Sequence, residues 1–197
     1  MKRWLFSIVF VSYQLVSAQT QTKQFNILHD GKSLGTLKAT KTTDGDITTY
    51  ASHTKIQYHL IVPIEIIYDY QVSFNNKELR EAKANIMVKG NEKTNTKTLI
   101  TNKGYNFYSD GQLQKNIPET SINHSIVQLL FEEPIGLTRI YSEEHGTFHT
   151  LKKIKDSTYL KTTNSGHKST YHYQNGVLQR TETDAGIIKF SIVSPTN

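Results

Sequence analysis

Apolar and polar side chains alternate strictly along one stretch of this chain, from position 56 to position 74. The even positions carry Ile56, Tyr58, Leu60, Val62, Ile64, Ile66, Tyr68, Tyr70, Val72 and Phe74. This period of two predicts β-structure with one buried face and one wet face. One strand of that length would run roughly 60 Å. We therefore expect a bend or hairpin near Leu60 to Pro63, where proline withholds a ladder donor.

Turn signals recur at hairpin spacing along the chain. They are Asp30-Gly31, Asp44-Gly45, Asn75-Asn76, Gly90-Asn91, Asp110-Gly111, Asn164-Ser165-Gly166, Asn175-Gly176 and Ala185-Gly186. Glycine accepts a positive φ without steric penalty and Asn or Asp tolerates it, so such pairs favour tight hairpins. Strands joined in this way are antiparallel neighbours.

One segment, Ser121 to Phe131, has helical spacing instead. Its apolar positions are Ile122, Ile126, Leu129 and Leu130. Ser121 is suited to cap a helix at its start, and Pro134 stops its continuation. The pattern predicts a single short helix whose apolar stripe packs on the sheet.

These patterns predict an all-β fold: a highly curved antiparallel sheet, or partly open β-barrel, of about ten strands with one short helix. A membrane-embedded barrel is the competing architecture, and it needs an apolar outer band with few charges. Charged side chains in the predicted strands favour a soluble domain instead: Lys38, Lys41, Lys83, Lys89, Lys93, Lys97, Lys161 and Glu182.

The first eighteen residues have the features of a signal peptide. Lys2 and Arg3 precede a largely apolar run from position 4 to 16, and Val16-Ser17-Ala18 fits a cleavage site. That run is shorter than the roughly 20 residues that span a bilayer, and no later stretch is apolar enough either. We expect residues 1–18 to be removed, leaving one antiparallel β domain, 19–197, in the periplasm or outside the cell.

Composition excludes several kinds of site. The chain has no cysteine, which rules out disulfides, thiolate zinc sites and a cysteine nucleophile. Its net charge is +6, or +4 without Lys2 and Arg3 of the predicted leader, and this charge is thinly spread. The one basic cluster, Lys152-Lys153-Ile154-Lys155, fits a solvated strand edge better than a nucleic-acid site. Nucleic acid is therefore not a predicted partner, and no sequence feature indicates an oligomeric state.

The histidines do not form a recognisable metal motif. His145 and His149 have a spacing that joins two ligands on a helix, but this segment is predicted as a strand. Four residues of strand span about 13 Å, too far for two imidazoles to share one ion. No metal site and no cofactor are predicted.

Two carboxylate pairs, Glu132-Glu133 and Glu143-Glu144, are the only candidates for catalysis. Glycosidases use two carboxylates that face each other across a cleft, and Glu133 and Glu143 would do so if the chain doubled back. The sequence favours the simpler interpretation that both pairs are solvated turn residues. It has no nucleophile elbow and no phosphate-binding loop. The pattern therefore favours a protein without enzymatic activity.

Aromatic side chains on the alternating face are the candidates for ligand binding. Tyrosine offers an apolar ring with a polar tip, so Tyr58, Tyr68 and Tyr70, together with Ile66, could line a groove. Aromatic residues are also common strand formers and core fillers, which is the alternative interpretation.

Several short motifs follow one another in an order that spans almost the whole chain. They are Asp30-Gly31-Lys32 with Leu34-Gly35-Thr36, Asn75-Asn76-Lys77-Glu78-Leu79, Leu130-Phe131-Glu132-Glu133-Pro134, Tyr141-Ser142-Glu143 with Gly146 and Phe148, and Tyr171-His172-Tyr173-Gln174-Asn175-Gly176-Val177. This order resembles a family of uncharacterised secreted Bacteroidetes proteins that form a domain of unknown function. The resemblance implies an exported antiparallel β domain and no activity. This chain has Asn76-Lys77 where such families commonly have Asn-Gly, which suggests a looser turn.

Three functional hypotheses follow. The first is an exported, non-enzymatic envelope protein that binds an apolar or amphipathic, lipid-like ligand in the curved sheet. The second is a structural or interaction module without a pocket. The third and least favoured is a glycan hydrolase that uses Glu133 and Glu143. A cavity of about 300 Å³ or more would favour the first hypothesis, and a filled interior the second.

Overall fold

The structure is a computed structural model that describes residues 18–59, 63–184 and 189–195. Fourteen β-strands and one 3-10 helix, Ile126–Leu130, make up the regular structure of these residues. The strands are β1 (Gln19–His29), β2 (Lys32–Asp44), β3 (Ile47–His59), β4 (Pro63–Asn75), β5 (Glu78–Val88), β6 (Asn91–Thr101), β7 (Gly104–Ser109), β8 (Gln112–Ile117), β9 (Arg139–Ser142), β10 (Thr147–Lys155), β11 (Thr158–Thr162), β12 (Lys168–Gln174), β13 (Val177–Asp184) and β14 (Lys189–Val193).

All fourteen strands belong to one antiparallel sheet whose order is β8-β7-β6-β5-β4-β3-β2-β1-β14-β13-β12-β11-β10-β9. Strands that are neighbours in sequence pair, except β8 and β9, which form the two edges. The first strand instead pairs with the last, with Asn26 opposite Val193. The predicted open, antiparallel sheet is confirmed. Its strands number fourteen rather than about ten. Short hairpins such as β7–β8 add strands that are too short to show a clear alternation of apolar and polar residues.

The alternating segment forms the hairpin β3–β4, as predicted. The two strands pair from Ile47 opposite Asn75 to His59 opposite Pro63, and the intervening positions 60–62 lie outside the described residues. The even side chains share one face: Ile56, Val72 and Phe74 are buried, and positions 64–70 are half-buried. Positions 1–17 of the predicted leader, which spans residues 1–18, and the Ala185-Gly186 turn also fall outside the described residues.

The next turn is tighter than expected. Asn76 and Lys77 adopt φ values of +49° and +70° between β4 and β5, so they form a two-residue turn without glycine. Hydrogen bonds from outside the hairpin hold it: the Asn76 N–H donates to Asp46 O at 3.0 Å, and the Asn123 amide donates to Lys77 O at 3.3 Å. The expectation of a looser turn is wrong because tertiary contacts impose the conformation.

The predicted helix is shorter than expected, and it is 3-10 rather than α-helical. Residues 121–124 are not helical, and the N-cap is Ser125 instead of Ser121. Neighbouring strands take their backbone groups: Ile122 O accepts from the Leu79 N–H at 2.8 Å, and His124 O accepts from the Tyr141 N–H at 3.1 Å. A carbonyl engaged in this way is not free for a helical hydrogen bond. The helix does bury Val127, Leu129 and Leu130 as predicted.

The connection between the edge strands, residues 118–138, braces the inside of the sheet, and we call it the brace. The Lys23 ammonium donates to Leu130 O at 3.1 Å, and the Tyr173 hydroxyl donates to Leu129 O at 2.7 Å. Lys41 and Tyr50 both donate to Glu132 Oε1, at 2.6 and 2.5 Å. The brace therefore contacts β1–β3 on one side and β12 on the other. No helix in the described ranges has the length and apolar character needed to cross a membrane.

Candidate functional site

A cavity of about 420 Å³ lies inside the curved sheet. Its walls come from the inner faces of strands in both halves of the sheet, from the 3-10 helix and from the turn between β9 and β10. One part of the wall is apolar and includes Ile27, Leu37, Ile56, Leu130, Phe190 and Ile192. Alternation places these side chains there, because every second residue of an inner-facing strand points inward.

Two of the four predicted ligand-binding residues line this cavity. The Tyr68 and Tyr70 rings stack, with centroids 6.5 Å apart and planes 8° apart. Burial raises the pKa of both phenols, so both hydroxyls stay protonated near neutral pH. The other two do not line it: Tyr58 packs its ring edge-on against His29, and Ile66 packs against the core. Ligand binding by these residues stays a prediction.

The β9–β10 turn, residues 143–146, forms the polar end of the cavity. The Val127 N–H donates to Glu143 Oε1 at 3.0 Å, and the Thr96 hydroxyl donates to Glu143 O at 3.0 Å. Glu143 is only 1% exposed, so the interpretation of Glu143 as a solvated turn residue is wrong. The sequence could not show that this turn docks on β6 and on the brace. Burial raises the pKa of Glu143, an effect that the Val127 N–H partly offsets.

The turn also brings two histidines together. The ring centroids of His145 and His149 are 5.3 Å apart, so the predicted strand separation of about 13 Å is wrong. The cause is the reversal at Gly146, whose N–H donates to Ser142 O at 2.9 Å. Within the ranges that the structure describes, no group of three or more His, Cys, Asp or Glu side chains is placed to hold a metal ion.

Two buried polar atoms in the cavity wall have no hydrogen-bond partner among the described residues, His149 Nδ1 and Thr181 Oγ1. The Lys161 side chain also lines the cavity. Burial, together with the electrostatic effects of the neighbouring Lys161 and His145, lowers the pKa of His149 to about 4. Burial also lowers the pKa of Lys161, while Glu143 and Glu144 act in the opposite direction.

The two carboxylates of the hydrolase hypothesis do not share a pocket. Glu133 accepts a hydrogen bond from the Tyr159 hydroxyl at 2.9 Å and lines a separate pocket of about 90 Å³. Glu143 faces the central cavity. Catalysis by this pair stays a prediction, and the described geometry gives it no shared cleft.

Sequence analysis considered His149 only as a metal ligand beside His145, and it did not consider Lys161 or Thr181 as site residues. They lie on three different strands, β11, β10 and β13, with no common motif. Their only sequence signal is a polar residue at an inward-facing position of a predicted strand, which is also how a surface residue looks when the register is unknown.

Comparisons with known proteins give a family and a fold. Residues 25–194 match the family described as Domain of unknown function (DUF6134). Among solved structures, the chain is similar to the crystal structure of a beta-barrel-like protein of the domain of unknown function DUF1849 from Brucella abortus. The two share 8% sequence identity and a TM-score of 0.51, over 94% of this chain and 98% of that chain. At that identity the likeness shows the fold alone. A search of the curated proteins finds no match.

Proposed function

We propose a function for this chain, which belongs to the DUF6134 family, from its cavity: it is an exported envelope protein that binds an apolar or amphipathic molecule inside the curved sheet. It does so without converting that molecule chemically. The observation that carries the proposal is an interior space of about 420 Å³ with an apolar wall and a polar end. Ligand pockets commonly enclose about 300–1,000 Å³ and combine apolar walls with a few polar groups.

The alternative, a structural or interaction module, requires no such space. A cleft of about 420 Å³ with an apolar wall and a few polar groups has the size and lining that are common in ligand pockets, which is an argument for a ligand. Export is supported by the basic start at Lys2 and Arg3, the apolar run and the Val16-Ser17-Ala18 cleavage pattern.

Binding can be tested with N-phenylnaphthylamine, an uncharged apolar dye that fluoresces on leaving water. We expect the purified protein to bind it in the cavity. Thr54 lines the cavity, so Thr54→Phe should fill the space and weaken dye binding at least tenfold. The matched control is His53→Phe, because His53 is the adjacent residue of β3 and its side chain is 56% exposed.

Native mass spectrometry of protein purified without detergent tests the same proposal independently. We expect a mass adduct that an organic solvent extracts as an apolar or amphipathic compound. Absence of any adduct, together with equal dye binding by the Thr54→Phe and His53→Phe proteins, would contradict the proposal. The structural or interaction module would then be the better interpretation.

A further inference from the structure

We propose that the protein docks on a negatively charged lipid bilayer through the end of the β10–β11 hairpin and the adjacent turn of the brace. The contacting side chains are Lys152, Lys153, Ile154 and Lys155 of the hairpin and Ile135 of the brace, and we call these five residues the basic patch. The inference adds a membrane surface to the proposed function and does not depend on ligand binding in the cavity.

The first argument is the positive charge that the hairpin exposes. Residues 152–155 are all exposed. Asp156 is the only acidic residue between positions 150 and 158, so three lysines and one aspartate leave this segment with a net charge of +2. The Lys153 ammonium lies 3.3 Å from Asp156 Oδ1, and such an exposed ion pair is weak. Exposed lysines of this kind are attracted to the surface of an anionic membrane.

The acidic residues of the brace do not compete strongly for these lysines. Each one accepts a hydrogen bond from another side chain: Glu119 from Arg139, Glu132 from Lys41 and Glu133 from Tyr159. The Tyr159 ring is buried, so its hydroxyl holds the Glu133 carboxylate toward the inside of the sheet. The lysines of the hairpin therefore keep their charge available at the surface.

The second argument is that two isoleucines are exposed beside these lysines, Ile154 by 45% and Ile135 by 75%. Ile154 lies at a β-bulge: Lys153 pairs with Tyr159 and Lys155 pairs with Thr158, which leaves Ile154 without a register partner. Bulges redirect side chains at sheet edges. Lysines alone would serve to protect a strand edge, but an exposed isoleucine among them does not. A membrane interface accommodates both, because lysine contacts the head groups and isoleucine the acyl boundary.

The third argument is the position of the basic patch relative to the cavity. Two hydrogen bonds join the brace turn to the hairpin: the Leu151 N–H donates to Thr138 O at 2.8 Å, and the Tyr159 hydroxyl donates to Glu133 Oε1 at 2.9 Å. The two exposed isoleucines are therefore carried by segments that meet. The β9–β10 turn, which lines the cavity, lies at the other end of the nine-residue strand β10, roughly 30 Å away. A bilayer on the basic patch would leave that end of the cavity uncovered.

Sedimentation of the purified protein with lipid vesicles tests the inference. Vesicles of phosphatidylcholine and phosphatidylglycerol in equal parts are compared with vesicles of phosphatidylcholine alone. In about 0.1 M NaCl we expect the anionic vesicles to bind the protein roughly tenfold or more tightly than the neutral ones. Raising the salt to about 0.5 M should remove most of this preference, because ions screen exposed charges.

Two pairs of variants locate the contact. A triple variant with Lys152→Gln, Lys153→Gln and Lys155→Gln should bind anionic vesicles roughly tenfold more weakly or worse. Its control removes the same charge from exposed lysines elsewhere, with the substitutions Lys32→Gln, Lys89→Gln and Lys93→Gln. The second pair is Ile154→Ser, which should weaken binding severalfold, and Leu113→Ser, which should not, although Leu113 is 51% exposed on β8.

The outcomes separate this inference from the proposed function. All four variants should bind N-phenylnaphthylamine as the native protein does, which also shows that the fold is kept. Equal binding to both kinds of vesicle, or equal losses in the two triple variants, would overturn the membrane inference and leave the proposed function standing. A loss in the basic-patch triple variant with none in Ile154→Ser would also overturn it, because it would indicate a soluble polyanion such as nucleic acid. Vesicle binding without any dye binding would contradict the proposed function alone.

Discussion

Two buried threonines on the inner face of the sheet form a matched pair at the scale of single residues. Thr98 is 0% exposed and its hydroxyl lies 2.7 Å from the Tyr141 hydroxyl, whereas Thr181 is 2% exposed and its Oγ1 has no partner among the described residues. Thr98→Val should cost about 1–2 kcal/mol of unfolding free energy, because it leaves the Tyr141 hydroxyl unpaired. Thr181→Val should change it by less than about 0.5 kcal/mol or raise it.

Urea unfolding of both variants measures this difference. Equal losses in the two proteins would mean that the Thr181 hydroxyl has a partner in solution. A bound ligand is the partner that the proposed function supplies, so the titration should use protein from which ligand has been extracted.

His149 gives the protein a predicted loss of stability in acid. The pKa of its imidazole is about 4 in the fold, against an ordinary value of 6.5. Below pH 6.5 the imidazole of His149 is protonated in the unfolded chain but stays neutral in the folded chain. Stability therefore falls as the pH drops from about 7 to about 4. Below that range both states are protonated and the effect is complete. The contribution is up to roughly 3 kcal/mol.

The difference between the stability curves of the native protein and of His149→Gln isolates this effect. Other groups also titrate in this window. Glu143 acts in the opposite sense, because a carboxyl whose pKa is raised in the fold loses stability as the pH rises past its ordinary value. These groups are common to both proteins, so they cancel in the difference. A difference that does not change between pH 7 and pH 4 would contradict the burial of a neutral imidazole.

At the scale of elements, the hairpins could be predicted from sequence because their signals are local. Asp30-Gly31, Asp110-Gly111 and Asn175-Gly176 all adopt positive φ at both turn residues, as such pairs favour. The alternation between positions 56 and 74 likewise predicted which face of the β3–β4 hairpin is buried. The segment 121–131 was misread because its spacing is helical while its hydrogen-bond partners, Leu79 and Tyr141, are distant in sequence. A local sequence pattern cannot show which distant strand will donate a hydrogen bond to a backbone carbonyl of this segment.

The β9–β10 turn depends on a glycine that has no room for a side chain. Gly146 has a φ of +60°, and a Cβ atom there would lie 2.3 Å from the Phe107 ring. Gly146→Ala should therefore destabilise the protein by more than the roughly 1 kcal/mol that a positive φ costs an alanine. The matched control is Gly111→Ala, because Gly111 has a φ of +75° with no atom within 4 Å of the added Cβ.

The melting temperatures of the two variants measure the contribution of the Phe107 contact. The turn carries Glu143 and His145, so Gly146→Ala should also alter dye binding in the cavity, whereas Gly111→Ala should not. Equal shifts in both melting temperatures would show that the turn can move away from β7 without cost.

At the scale of the whole molecule, the cavity exists because distant parts of the chain meet. Pairing of β1 with β14 joins the half β1–β8 to the half β9–β14, and the cavity wall combines strands of both halves with the brace. Sequence patterns show which face of a strand is apolar, but they do not show which strands pair to join the two halves of the sheet. The curved, open sheet could thus be predicted in outline, whereas Lys161, His149 and Thr181 could not be selected as residues that line one cavity.

The same topology predicts that β14 is essential although it is short. Its described residues form three register pairs with β1 and five with β13, so it is the only strand linking the two halves of the sheet within the described residues. A chain that ends after Asp184 leaves the edges of β1 and β13 unpaired and removes Phe190 and Ile192 from the cavity wall. The halves would then be held together by the brace and by the contacts of β9 and the β9–β10 turn with β4, β6 and β7.

We expect this truncated chain to lose cooperative urea unfolding and dye binding together, because it loses the strand pairing between the halves and two residues of the cavity wall. A chain that ends after Pro195 keeps β14 whole and serves as the control, with an unchanged unfolding midpoint. Retention of a single sharp transition by the shorter chain would mean that the brace and the contacts of β9 and the β9–β10 turn with β6 suffice to hold the halves together. The cavity would then owe its shape to these contacts and not to strand pairing through β14.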